Sequence, residues 1–271
     1  MQRSKESAAA RPAAVAGLFY SADPAALRAL LLPILAPMSA PNPDQSERPR
    51  ALIVPHAGHS YCATVAAHAF RLLHGHHYAR VAIICPTHRV AVAGAAIPTV
   101  TTFATPLGEV MLDAAGLEQL ATHPAIVAND AAHREEHAIE VLLPYLQLVL
   151  DHFTLIPIAA SLVAPEQLAD AVRPLWQDND TLIIISSDLS HFHPDQEATT
   201  MDAATCADIC HAHPIDHAQA CGATGINTLQ ILRQQEASTT PTTIRLLSYC
   251  NSGDTGGDRH SVVGYASFVL T

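Results

Sequence analysis

Three short apolar runs, each leading into a histidine-bearing polar segment, constrain this chain more than anything else in it. They are Ala51-Leu-Ile-Val54 followed by Pro55-His56, Val81-Ala-Ile-Ile84 followed by Cys85-Pro86-Thr87-His88, and Thr181-Leu-Ile-Ile-Ile185 followed by Ser186-Ser187-Asp188-Leu189-Ser190-His191. Four or five consecutive apolar, mostly β-branched residues read as strands buried on both faces, and in the first two the following proline ends the strand. Three strands therefore each deliver an imidazole at a carboxyl edge, where open α/β sheets bind their ligands. Imidazole is the commonest protein metal ligand and is neutral enough near pH 7 to coordinate. Asp188 and His191 share one strand-end loop, an arrangement that can fix a histidine tautomer and tune its basicity. The chain has 17 histidines, so one at a strand end carries little weight; three at three strand ends point to a site.

Between these runs, helical patterns alternate with further strands. Asp23-Pro24 is a capped helix start, with Asp as N-cap and Pro in the first turn. Tyr61–Leu73 and Glu136–Asp151 each carry an apolar face, and the unit 51–88 reads as βαβ with parallel strands. Helices follow at Leu117–Thr122, Pro165–Trp176, Thr199–His211 and Gly225–Glu236. Strands follow at Phe153–Ile158, Ile244–Tyr249 and Ser261–Val269. The expected architecture is one three-layer α/β/α domain over residues 11–271, with a central mixed, largely parallel sheet and helices on both faces. Residues 1–10 are expected to be a disordered tail, and the proline-rich stretch 37–49 a loop.

Composition narrows the partners. Hydrophobic residues make up 49% of the 271 and charged residues 14%, enough for a large core without staples. A net charge of −11 argues against nucleic acid or an anionic membrane as partner. No run of about 18 apolar residues exists to span a membrane. Six dispersed cysteines without a C-x-x-C pair read as reduced thiols in a cytoplasmic protein; Cys206 and Cys210 share a helix face and are expected to pack.

Two further groupings could bear on a site. His133-Arg-Glu-Glu136-His137 matches the H-x-x-E-H pattern, in which two histidines four apart chelate zinc. Alternatively, His137 and Glu140, one turn apart, point into the pocket of His56 and His88. Asn251-Ser-Gly-Asp-Thr-Gly-Gly-Asp258 lies between two late strands, where Asp254 or Asp258 could complete a two-histidine, one-carboxylate site or simply form a turn. No G-x-G-x-x-G, Walker A or G-x-S-x-G element is present.

Taken in order along the chain, Arg11-Pro12 with Ala16-Gly17-Leu-Phe-Tyr20, Pro55-His56-Ala-Gly58 with Tyr61, Pro86-Thr-His88, Thr105-Pro106-Leu-Gly108, Glu136-His137-Ala-Ile-Glu140 with Leu143-Pro144-Tyr145, Ser186-Ser187-Asp188 with His191, Cys221-Gly222, Tyr249 with Ser252, and Val263-Gly264-Tyr265 resemble the Memo family, the protein B component of the AmmeMemoRadiSam system. The resemblance implies a fold similar to the class III extradiol dioxygenases and a non-haem Fe(II) or copper site. By motif it assigns His56 and His88 as metal ligands, His191 as acid/base beside Asp188, and His137 as a pocket residue. Glu140, His59 and Tyr61 are further pocket candidates; His59 stands where tyrosine is common. The third ligand is expected from the C-terminal loop, with Asp254 nearest the place and Thr255 and Asp258 as alternatives. Three functions stay open: a dioxygenase-like, metal-dependent oxidoreductase acting on a small molecule, a scaffold whose pocket binds a peptide, and a copper or iron carrier. Radical-SAM and AMMECR-like proteins are partners implied by the family alone.

Overall fold

The computed structural model describes residues 10–37, 48–236 and 243–271. In chain order the elements are β1 (Ala10–Arg11), α1 (Pro24–Leu35), β2 (Ala51–Val54), α2 (His59–Phe70), β3 (Arg80–Pro86), β4 (Ala95–Ile97), β5 (Thr102–Thr105), β6 (Gly108–Met111), α3 (Ala114–Leu120), β7 (Ile126–Ala128), α4 (Asp130–Arg134), α5 (His137–Glu140) and α6 (Leu143–Val149). They continue with β8 (Thr154–Ala160), α7 (Pro165–Gln177), β9 (Thr181–Ser186), β10 (His191–His193), α8 (Asp195–His211), α9 (Ala223–Glu236), β11 (Ile244–Asn251) and β12 (Val262–Leu270).

The main sheet runs β10-β12-β2-β9-β3-β8-β4-β7, with β11 paired to β12. Its centre is four parallel strands, β2-β9-β3-β8, flanked by antiparallel β12 and β4. The sheet is therefore mixed, with a parallel core, as the apolar runs predict. All four residues of β2 and all six of β9 are buried, which is why these segments lack the alternation of a half-exposed strand. Because the three histidine-bearing strands are parallel, their carboxyl ends open on one edge. The pairings Val54 with Ser186 and Ile84 with Ile185 bring those ends level.

Helix packing follows local chemistry. Asp23 accepts a hydrogen bond from the Ala25 amide and Pro24 opens α1, whose Leu27, Leu31 and Leu35 form one buried stripe. Each such leucine contributes roughly 1.5–3 kcal/mol of burial. On α7, Leu168, Val172, Leu175 and Trp176 are buried in the same way.

Two expectations are corrected. The helix expected over Glu136–Asp151 is two helices, α5 and α6, because Pro144 lacks an amide hydrogen and its ring opposes the carbonyl of Glu140, where α5 stops. The 51–88 unit is βαβ with parallel strands, as expected, and β9 lies between β2 and β3. Ala10, placed in a tail, pairs with Arg11 against β5; the rest of that tail, and most of the 37–49 loop, lie outside the described residues. Among the described residues no helix is long and apolar enough to cross a membrane, and all six cysteines are free.

Candidate metal centre

His56 leaves the end of β2 after Pro55 and is buried. Its amide donates to Asp188 Oδ1 at 2.8 Å. Its ring Nδ1 lies 2.7 Å from Ser186 Oγ, and Ser186 Oγ donates its single hydrogen to the Ala138 carbonyl at 2.6 Å. The serine can therefore only accept from His56, so the proton sits on Nδ1 and Nε2 keeps a free lone pair. Burial, reinforced by the charge of His88, pushes the His56 pKa down to about 3, so the ring is neutral at pH 7 and ready to coordinate.

His88 is fixed by the same logic with a stronger partner. Its Nδ1 lies 2.8 Å from Glu136 Oε1, and its amide donates to Glu136 Oε2 at 2.7 Å. Glu136, the N-cap of α5, also accepts from the Ala138 amide. Burial raises the Glu136 carboxyl, but the hydrogen bonds and charge of His88 outweigh it and hold the group at about 2. A carboxylate on one ring nitrogen leaves the other directed at a ligand, the usual support for a metal-binding histidine. The His56 and His88 rings stand edge-on with centroids 5.1 Å apart.

The third donor is Cys221, in the turn before α9. Its Sγ lies 3.3 Å from His56 Nε2. The ligand atoms of His56, His88 and Cys221 all fall within 4.8 Å of one another. Bonds of 2.0–2.3 Å place the donors of a tetrahedral ion about 3.3–3.8 Å apart, so small side-chain movements close the set on one ion. Gly222 permits this approach: a Cβ there would lie 2.6 Å from Ser187 Cβ and 2.7 Å from the Ser186 carbonyl. Burial, with the charge of Asp188 next, pushes the Cys221 thiol up to about 12, so without a cation it stays protonated. Two imidazoles and a thiol suit a soft or borderline ion such as iron(II) or copper better than magnesium or calcium.

The other sequence candidates divide. His137 joins the cluster, its ring centroid 4.6 Å from that of His88 and 5.4 Å from that of His56. Burial, then His56, pushes its pKa down to about 4. His88, Glu136 and His137 form a second close trio, but the Glu136 oxygens are already taken by His88 and Ala138. Asp188 is buried behind His56, and burial raises its carboxyl against the pull of the His56 amide. His191 is partly exposed in β10 and close enough that its charge acts on both Asp188 and His56. Tyr61 is 42% exposed beside Gly58.

Six candidates lie elsewhere. Asp254 accepts from the Asn251 amide within a short 3-10 turn, Ser252–Thr255, and its other oxygen lies 3.3 Å from Arg259. Among the described residues it belongs to no cluster of ligand atoms. Thr255 bonds its own turn and Asp258 caps the His260 amide. Glu140 faces away from the pocket and is fully buried. One oxygen accepts from Arg11 and the Ala14 amide, the other from Tyr20 and the Val15 amide. It thereby ties residues 11–20 across the site, with Phe19 against His137 at 4.6 Å. His59 bonds the Val141 carbonyl and packs on Tyr145. His133 bonds the Ala96 carbonyl in the core, so the H-x-x-E-H pair does not converge.

Cys221 was legible only as half of a Cys-Gly motif. A cysteine before a glycine at a helix start, level with a strand-end loop, is the signal that could have marked it.

Comparisons with known proteins show the family. The model of the family described as Memo-like protein matches residues 11–269. A MEMO1 family protein of Methanothermobacter thermautotrophicus is 34% identical, over 94% of this chain and 98% of that protein. One from Sulfolobus acidocaldarius is 34% identical over 94% and 96%, and one from Aquifex aeolicus 28% identical over 96% and 98%. The crystal structure of an uncharacterized protein from Escherichia coli K12 shares the fold, with a TM-score of 0.55 and 10% identity, covering 83% of this chain and all of that one. With the family model spanning nearly its whole length, the chain belongs to the Memo-like family.

Proposed function

We propose that this protein binds a single iron(II) or copper ion on His56 Nε2, His88 Nε2 and Cys221 Sγ, and serves as an oxidoreductase acting on a small molecule with dioxygen. The observation that carries this reading is the convergence of three donors within 4.8 Å, with both imidazole Nδ1 atoms already held by Ser186 and Glu136. When bound, the ion supplies Lewis-acid and one-electron redox chemistry at positions left open for ligands. The chain's own residues do the rest. Ser186 and Glu136 hold the two rings in the tautomer that presents Nε2. Asp188 fixes the His56 backbone. His191, on the exposed side, exchanges a proton with the substrate. His137 and Phe19 form one wall of the pocket, and the Arg11–Glu140 pair holds that wall in place.

The test is metal content by elemental analysis after anaerobic purification and reloading with Fe(II) or Cu(I). Wild type and Asp254→Ala are expected to retain near-stoichiometric metal, whereas Cys221→Ala and His56→Ala/His88→Ala lose it. Retention in Cys221→Ala with loss in Asp254→Ala would refute the assignment. Loaded wild type and His191→Ala are then compared by oxygen uptake in a substrate screen. Uptake untouched by His191→Ala would remove the proton-transfer role.

A further inference from the structure

The loop carrying Asp188 and His191 ends in a strained bulge. Strand β10 pairs with β12 so that His191 faces Val263 and His193 faces Val262, leaving Phe192 as the extra residue. Phe192 has φ of 65° and is 75% exposed. A bulky aromatic residue in the left-handed region is a true backbone outlier and persists only where its surroundings hold it. Bulges beside active sites commonly re-aim a side chain, and the neighbouring side chain here is His191.

This one is held from helix α8. Asp202, from α8, is fully buried. One of its oxygens accepts from the Ser190 amide at 3.0 Å and the other from the Tyr249 hydroxyl at 2.8 Å. Burial, with the charge of Asp202 next, pushes the Tyr249 hydroxyl up, so it remains a donor. Gly264 donates to the Ser190 carbonyl and accepts from the Leu189 amide. A Cβ on Gly264 would lie 1.9 Å from Asp202 Oδ2, so only glycine lets the carboxylate reach the loop.

We infer that Asp202 is a positioning residue: seated against Gly264, it clamps the strained loop and so fixes His191 and Asp188 relative to His56. Neither the loop's own sequence nor the metal ligands account for the clamp. It reaches the loop from a helix that contributes no group to the pocket. The inference rests on the proposed metal centre only for the roles of His191 and Asp188, because the clamp can be tested on metal-free protein.

The experiment is residue-resolved amide hydrogen exchange on the full chain without metal, for wild type, Asp202→Ala, Phe192→Asn and the double variant. Loss of a hydrogen bond to a buried carboxylate is expected to speed exchange at Ser190, Leu189 and Gly264 about tenfold, with the amides of β3 and β8 unchanged. Asparagine tolerates positive φ far better than phenylalanine. Phe192→Asn should therefore restore at least about a third of the lost protection in the double variant. A residue that merely filled space would show no such rescue. Unchanged exchange at Ser190 in Asp202→Ala, or a double variant as labile as the single, overturns the inference. If Asp202→Ala does not fold, Asp202→Leu, which fills a similar volume and offers no acceptor to the Ser190 amide, is read by the same two criteria. Loop protection that follows this pattern in a protein that never binds metal would uphold the clamp and remove only the metal centre.

Discussion

Two histidines outside the metal cluster should make this protein acid-labile well above the range where carboxylates titrate. His59 and His133 are buried, and each uses Nε2 on a backbone carbonyl, of Val141 and Ala96. The other nitrogen of His59 is buried without a partner, so a proton there meets no acceptor. Burial, only partly offset by the carbonyl hydrogen bond, lowers each pKa from 6.5 to about 4. A folded-state pKa below the unfolded one means that the contribution to stability is fully present above about 6.5. It is lost as the pH falls toward 4, because the unfolded chain takes up protons the folded chain refuses. At pH 5 each histidine should have removed about 2 kcal/mol, and the pair about 4 kcal/mol. The assay is urea unfolding of metal-free protein at pH 7.5 and pH 5, for wild type and for His59→Gln/His133→Gln. Glutamine keeps a donor for the carbonyl and cannot ionise in this range. The double variant should lose about 4 kcal/mol less than wild type between the two pH values. An equal loss would show that these rings are protonated or solvated in the folded state, and would refute the reasoning.

Ser186→Ala removes the acceptor that holds the proton on His56 Nδ1 and should weaken metal binding by roughly 10- to 100-fold, read by competition with a chelator. Glu136→Gln should weaken it by a similar factor through His88, read the same way. Glu140→Gln strands the buried Arg11 guanidinium and should cost about 3–5 kcal/mol in urea unfolding. Gly222→Ala forces Cys221 away from the Ser186-Ser187 backbone and should cost about 1–3 kcal/mol while abolishing metal retention.

The sheet was legible because its strands are buried on both faces. β2, β3 and β9 read as unbroken apolar runs, and a run of that kind has few alternatives once its ends are marked by Pro55, Pro86 and Ser186-Ser187. Strand order was not legible. Parallel strands are joined by crossovers of any span, so nothing local records that β9, more than a hundred residues downstream, inserts between β2 and β3. β1 and the break at Pro144 were missed for opposite reasons. β1 is two residues long and stabilised by Arg11 reaching His133 and Glu136 carbonyls, contacts that no local pattern reports. The periodicity of 136–151 continues through the break because both short helices bury the same face, and only the proline records the interruption.

The same division runs through the site. His56 and His88 could be found because each sits where a strand's direction alone determines its placement. Asp254 was favoured because it lies nearest the place, in the loop between the late strands, where the family resemblance puts the third ligand, but the Asn251–Asp254 turn closes on itself, with Asn251 and Arg259 consuming the carboxylate. Cys221 enters from a different direction, in the turn before α9, and its approach depends on a contact between two backbones that Gly222 makes possible. Glu140 illustrates the converse: one turn from His137, it ought to share its face, yet that i, i+3 spacing is overridden by a buried cation 129 positions away in sequence. A residue's role is readable when the element carrying it fixes both its place and its partner. Where a glycine's missing Cβ or a distant charge makes the choice, the chemistry becomes visible only once the backbones are packed. Asp202 belongs to this second class, since its carboxylate is explained by Gly264, Ser190 and Tyr249, none of which its own helix predicts.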